Sequence, residues 1–233
     1  MNHKMIGQNL ERMNTRRIFS LVALACIFFQ SCVSDKSMDA AKVTAEYFGA
    51  KSYSVANNFS SDEKSCQIIS FENFDSPLAD WSEQQIASSL ASKFINTLKE
   101  KSTFLDSCIE IVAVFDTRKI SRTFTVSNLE KVPQYNSFVK LFFETASRNE
   151  DVLAMFDTSF VPKKSVEELL VAEVKFSSKQ DSVQFRGFER KNISKSQEPV
   201  ITVFVRRNVD GLLIDYKFIF VERTKRIVYF ERL

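Results

Sequence analysis

Apolar and polar positions alternate most regularly at the carboxy terminus, where residues 200–206 and 212–221 flank Asp210-Gly211, a favoured two-residue hairpin turn. Counting outward from that turn sets Val205 against Tyr216, Val203 against Phe218 and Ile201 against Phe220 on one face, and Arg206 against Asp215 on the other. A three-residue turn at Arg223, Thr224 and Lys225 then sets Phe220 against Val228, Phe218 against Phe230 and Lys217 against Glu231. One face stays apolar across three strands, and a slip of one residue would put charges among the phenylalanines. Further upstream the period changes. Tyr135, Phe138, Val139, Phe142, Phe143 and Ala146 recur at helical spacing and predict a helix over residues 134–147. A short helical turn over 151–156 follows. After Pro162 the capping box Ser165-Val166-Glu167-Glu168 predicts a third helix through Lys175, with strands from Val183 onward.

The amino-terminal half alternates its elements instead. Residues 37–49 form a short helix with Val43, Tyr47 and Phe48 as a weak stripe and Gly49 as its stop. Tyr53 and Val55 mark a brief strand that runs through a turn at 60–65 into a second strand, 65–71, as a hairpin. Ile86, Leu90, Phe94, Ile95 and Leu98 give a helix over 82–101 with Ser82 as N-cap, and residues 107–115 form the next strand. That order is a β-α-β unit, which makes its two strands parallel, with the helix covering the Ile69 and Ile111 face. Arg118 and Lys119 turn the chain into a polar strand around 122–126. A break at 127–133 separates this small mixed sheet from the helices and antiparallel strands beyond. The fold class is therefore α+β, with a mixed module over 51–132 and a second α+β module over 133–233.

Residues 1–31 read as a targeting segment. Arg16 and Arg17 precede an apolar run over 18–29, which ends at Gln30 and Ser31 before Cys32. Twelve residues fall short of the roughly 20 that a membrane-spanning helix needs, so the run fits a signal-peptide core. Met13 is an alternative start, because Met-Asn-Thr-Arg-Arg already makes a compact positive region. Phe29-Gln30-Ser31-Cys32 resembles the lipobox of bacterial lipoproteins, with Ser31 in the small position and Phe29 where leucine is commonest. The resemblance implies removal of 1–31 and acylation of Cys32 by palmitate-like chains, each buried methylene contributing about 0.8 kcal/mol. It also implies an anchor and tether over 32–50, and a place in the envelope of a Gram-negative bacterium, on the outer membrane facing the periplasm. Ala23-Leu24-Ala25-Cys26 offers a competing cut that would leave Ile27, Phe28 and Phe29 exposed.

Composition then removes whole classes of chemistry. Four glycines among 233 residues build neither a phosphate-binding loop nor a dinucleotide-binding turn. The sole histidine, His3, leaves with the signal, and with it go histidine triads and histidine-ligated metals. Four of the 32 Lys and Arg and one of the 29 Asp and Glu precede Cys32, leaving 28 of each. A neutral chain lacks the cation excess that nucleic-acid binding needs, so no nucleic-acid partner is expected. Within that neutral chain the part up to Val132 is acidic and the part beyond it is basic, a difference that draws the two together. Cys66 and Cys108 remain for an oxidising compartment. Each opens its strand and faces away from the apolar side, so neighbouring strands aligned at their starts bring the sulfurs within bonding reach. The alternative is two reduced, small hydrophobes.

Helices followed by four antiparallel strands over 134–233 resemble the cystatin-like cone of the nuclear transport factor family, in which a curved sheet wraps a long helix. The resemblance implies a cavity, with Phe138, Phe142, Tyr216, Phe218 and Phe220 as candidate lining, against the alternative that these rings are simply core. Tyr216 needs a partner for its hydroxyl if it is buried. Arg186, Arg190, Lys191, Arg206, Arg207, Arg223, Lys225 and Arg226 form a candidate anionic-partner patch, and Asp75 with Asp80 reads as a loop pair that caps or turns. No catalytic residue, metal site or cofactor is implied. The expected function is that of a non-enzymatic, membrane-anchored envelope lipoprotein that binds a protein partner or acts structurally. One alternative is a periplasmic carrier of a small apolar ligand in the carboxy-terminal cone, and another is a hydrolase or isomerase using Asp or Tyr in that cavity.

Overall fold

The computed structural model describes residues 33–58, 66–75, 78, 80–98, 108–148, 150–174, 182–192 and 198–233. The targeting segment with Cys32, the turn at 60–65 and Lys175 lie outside the described residues. Residues Asp35–Leu233 make one compact unit. Its order is α1 (Asp35–Phe48), β1 (Ala50–Asn58), β2 (Cys66–Phe74), α2 (Glu83–Thr97), β3 (Cys108–Phe115), β4 (Arg118–Thr125), α3 (Val126–Leu129), α4 (Val132–Ser147), a 3-10 turn (Leu153–Met155), α5 (Lys163–Val174), β5 (Ser182–Asn192), β6 (Pro199–Val209), β7 (Leu212–Val221) and β8 (Ile227–Arg232). The architecture is α+β, with two open four-stranded sheets.

The first sheet has the order β1-β2-β3-β4. β1 and β2 are antiparallel, β2 and β3 are parallel with α2 crossing between them, and β4 returns antiparallel to β3. The expected β-α-β unit is therefore present, and Cys66 pairs with Cys108 at the first rung. A disulfide joins them, with their Cα atoms 4.9 Å apart. Ile69, Phe71, Ile109, Ile111 and Ala113 fill the opposite face beneath Ile86, Leu90 and Phe94 of α2. Each of the isoleucine, leucine and phenylalanine side chains contributes about 1.5–3 kcal/mol on full burial. Ser82 caps α2 as expected, in a complete capping box: its Oγ accepts from the Gln85 amide at 3.2 Å, while the Gln85 side chain accepts from the Ser82 amide at 2.8 Å. The turn between β3 and β4 falls at Asp116 and Thr117, so Arg118 and Lys119 are strand residues rather than the turn.

Two helix faces differ from expectation for one reason, the packing of small residues. α1 buries Ser37, Ala40, Ala41, Thr44 and Ala45, while Val43 and Tyr47 of the expected stripe stay exposed. Alanine faces are weak in hydropathy, yet they let backbones approach closely. α1 is thus part of the packed unit rather than a tether. α2 likewise buries Ala87, Ser88, Ser89, Ala91 and Ser92 beside its expected apolar stripe. Its second face is covered by β5. A bulge between Phe185 and Phe188 turns on Gly187, whose φ is +116°. There the Phe188 amide donates to Ser88 Oγ at 2.9 Å and Gln84 Nε2 donates to the Phe188 carbonyl at 3.1 Å. The break expected at 127–133 is filled by α3, and this seam joins the elements on either side of it.

The second sheet has the order β5-β6-β7-β8, antiparallel throughout. Asp210 and Gly211 form the turn with φ of +50° and +87°, and every expected β6–β7 pair is found. Lys217 faces Glu231 and Phe218 faces Phe230, also as expected. A register shift between Ile219 and Phe220 then sets Phe220 against Ile227, not Val228. The bulge lets Ile227 and Phe230 both face inward although they are an odd number of residues apart. α4 lies on this face with Tyr135, Val139, Phe142 and Phe143 buried. α5 begins at Lys163, two residues before the expected cap, because the Pro162 carbonyl accepts from the amides of Ser165 and Val166. Ser165 therefore lies inside the first turn.

Candidate functional site

The residues expected to line a cavity pack against one another. Phe142, Tyr216, Phe218 and Phe220 are fully buried, and Phe138 is half-buried against the same core. Ring centroids lie 5.3 Å apart for Phe142 and Phe218, 5.0 Å for Phe143 and Tyr216, 5.2 Å for Tyr135 and Phe220, and 4.7 Å for Phe218 and Phe230. These are edge and tilted contacts of a filled interior. None of the five lines the cleft described next.

That cleft, of about 560 Å³, opens where the α2 face meets α4 and the beginning of β5. Four side chains of α2 line it: Ser89, Ser92, Lys93 and Asn96, at the i, i+3, i+4, i+7 spacing of one helix face. Val132, Asn136 and Lys140 supply a stripe of α4, one turn apart and off the aromatic face. Tyr47 and Phe48 at the end of α1 form an aromatic rim, and Gln184, Phe185, Arg206, Asn208 and Leu213 form the sheet wall. Ser89 Oγ, Ser92 Oγ and Asn136 Oδ1 are buried with no hydrogen-bond partner among the described residues. Lys93 Nζ sits 4.7 Å from the centre of the Tyr47 ring. The cleft lining among the described residues holds three cations and no carboxylate.

Behind the sheet wall lies a charge network that ties β5, β6 and β7 to the segment before α2. Arg206 grips Asp215 with two bonds, Nε to Oδ1 at 2.8 Å and Nη2 to Oδ2 at 2.7 Å, and Nη2 also reaches Asp80 at 2.8 Å. The Arg186 side chain, 3% exposed, stacks 4.1 Å over the Trp81 ring and lies 3.2 Å from Asp80 and 3.3 Å from Asp215. Burial pushes the Asp80 carboxyl up, but the Arg206 hydrogen bond and the Arg186 charge outweigh it and hold the group below its ordinary value. Asp80 is thus a network member rather than a turn partner of Asp75, which pairs with Lys51 at 2.6 Å. The acidic first half and basic second half of the chain meet at this point.

The expected basic patch is largely neutralised within the fold. Besides Arg186 and Arg206, Arg190 pairs with Glu222 at 2.8 Å, Lys191 with Glu189 at 2.8 Å and Arg223 with Glu198 at 3.1 Å. Arg207 is buried 4.5 Å over the Phe143 ring. Glu222 also receives Lys131; burial pushes its carboxyl up, and these two cations bring it below the ordinary range. Tyr135, beside that pair, is pushed up to about 12, first by burial and then by the Glu222 charge. Among the described residues no His, Cys, Asp or Glu cluster could hold a metal, and no helix is long and apolar enough to cross a membrane.

Apolar periodicity over residues 82–101 marks Ile86, Leu90 and Phe94 and carries no signal for Ser89, Ser92, Lys93 and Asn96. Their spacing was the available signal, and the missing knowledge was that β5 and α4 would enclose that face. No family model, no curated protein and no solved structure matches this chain.

Proposed function

We propose that this chain is exported, acylated at Cys32, and held at a cell-envelope membrane, where it works by binding rather than by chemistry. The observation that carries the reading is the Cys66–Cys108 disulfide between paired strands. Such a bond persists in an oxidising compartment, and the apolar run ending at Cys32 supplies the route there. Only Val33 and Ser34 separate Cys32 from α1 in the sequence.

Asp80 and Glu222 are held as carboxylates by arginine and lysine partners, and Tyr135 is shifted up to about 12, which leaves these three poorly placed to exchange protons near neutral pH. Partners consistent with this reading are the membrane itself, through the acyl chains, and an envelope protein. A second reading, a carrier, is favoured by the cleft at the α2–α4–β5 junction and not by the ring-filled interior of the second sheet.

Growing the bacterium with radiolabelled palmitate tests the primary reading. The chain should take up label and fractionate with membranes, and Cys32→Ala should lose both properties. Recovery of an unlabelled chain from cytosol with residues 1–31 attached would overturn it.

A further inference from the structure

We infer that the open edge of β1 is where two copies of this chain join, β1 against β1 and antiparallel, into one continuous eight-stranded sheet. Such a dimer goes beyond the membrane-anchor reading and does not depend on acylation.

A sheet edge is a row of unpaired N–H and C=O groups, and proteins block such edges with charge, bulges, shortness or a covering element. Two open sheets give this chain four edges, and three of them are blocked. β4 carries Arg118, Lys119 and Arg122 among its eight residues. β5 is bent by the bulge at Gly187, and the Phe188 amide and carbonyl are already bonded to α2. β8 has six residues and a bulge, and its Ile227 carbonyl accepts from the Asp157 amide at 2.9 Å. β1 has none of these devices. Its nine residues keep a constant register with β2, Lys51 is their single charge, and no described residue pairs with the other side of the strand.

The edge is also its own complement. The Asp75 amide donates to the Gly49 carbonyl at 2.7 Å, which makes residues 49 and 75 a bonded rung. Bonded rungs alternate along an antiparallel ladder, so odd-numbered residues of β1 bond to β2 and even-numbered ones turn their N–H and C=O to the open side. Ser54 is the middle outward residue, and it is exposed. A two-fold axis at Ser54 pairs residues 50–58 over their whole length. Tyr53 then lies opposite Val55 of the second copy in a non-hydrogen-bonded pair, the closer kind, and these half-buried side chains cover one another at the sheet margin. Lys51 meets the uncharged Asn57, so no like charges face each other. An extended peptide could bond to the same edge, but a second copy supplies the aromatic and β-branched pair twice, and it closes the assembly. Once β1 has joined β1, the margins of the combined sheet are two blocked β4 strands, and growth stops at two chains.

Sedimentation equilibrium of the full chain in density-matched nonionic detergent tests the dimer. The wild-type chain should pair with Kd below about 100 µM and form nothing larger. Ser54→Lys and Ser54→Glu each set like charges directly opposite one another at the axis, and each should weaken the dimer about fivefold or more. Mixing the two variants should restore association to at least the wild-type strength, because unlike charges then face each other, and that recovery also shows both variants to be folded. Ser54→Pro, which removes only an outward N–H, should weaken the dimer about tenfold or more, since each copy loses a central donor. A chain that stays monomeric at about 100 µM, which would leave the edge to another occupant, overturns the inference. So do assemblies larger than two, a dimer indifferent to the Ser54 variants, or a mixture of the charged variants that fails to associate.

Discussion

Replacing Gly187 by alanine should be among the most damaging single-methyl changes this chain can suffer. The residue has a φ of +116°, a region that costs a side-chain-bearing residue about 1–3 kcal/mol. A Cβ there would also lie 2.7 Å from Ser88 Oγ, 2.8 Å from Gln85 Cα and 2.9 Å from the Gln85 carbonyl oxygen. Two of those atoms belong to the backbone of α2 and cannot rotate away, so β5 must withdraw. Withdrawal loses the bonds joining Phe188 to Ser88 and Gln84, at about 1 kcal/mol each. The combined cost is about 3–5 kcal/mol, a large part of the 5–15 kcal/mol that typically separates folded from unfolded domains. Gly211→Ala is the internal control, because Gly211 also has positive φ, +87°, but nothing lies within 4 Å of its Cβ position. It should lose only the backbone component, about 1 kcal/mol. Urea unfolding followed by fluorescence reads the seam directly, since Trp81 is the sole tryptophan and stacks under Arg186, next to Gly187. If Gly187→Ala costs no more than Gly211→Ala, the close approach of β5 to α2 is not what joins the sheets.

Reducing the Cys66–Cys108 bond, or replacing both cysteines by alanine, should lower stability by about 4 kcal/mol for a loop of 42 residues, read from guanidinium midpoints with and without reductant; a loss below about 1 kcal/mol would contradict it. Glu222→Gln should cost about 1–2 kcal/mol at pH 7 by leaving Lys131 and Arg190 without their carboxylate. Because the folded-state pKa of Glu222 is depressed, its contribution is complete above the ordinary carboxylate range and disappears as pH falls through the lowered value. The wild-type chain should therefore lose stability on acidification below about pH 4.5 more steeply than Glu222→Gln does, and parallel curves would refute the pairing. Ser82→Ala should remove the α2 cap at about 1 kcal/mol, measured by thermal unfolding.

What could be read in advance was whatever rested on strong side-chain contrast. Asp210-Gly211 admits few backbone conformations, and the alternation around it punishes any slip, so the β6–β7 register followed by counting. The parallel β2–β3 pair followed from a crossover helix between two apolar strands, and that alignment brought the two sulfurs together. Features built on weak contrast were missed. The Ala and Ser face of α1 carries little hydropathy, although it packs more closely than Val43 or Tyr47 could. The shift between Ile219 and Phe220 leaves no mark in composition, because both Ile227 and Val228 suit a strand. Asp80 and Arg186 are distant in sequence, and only the folded seam makes them partners.

The cleft belongs to this second group, and its origin explains why. α2 has to satisfy two sheets at once: its Ile86, Leu90 and Phe94 stripe covers the first, and its Ser88 side receives the β5 bulge of the second. Small residues allow both approaches, but a helix cannot be in close contact all round with two open sheets that diverge from it. Where β5 begins and α4 crosses, a hollow therefore remains beside the helix, with Asn96 exposed at its edge and Ser89 and Ser92 buried beneath it. The Arg206–Asp215–Asp80 network holds the sheet wall of that gap. A hollow bounded by such constraints does not close by collapse. Hydrophobic periodicity sees the floor as solvent, and its chemistry becomes visible only once the packing that encloses it is known.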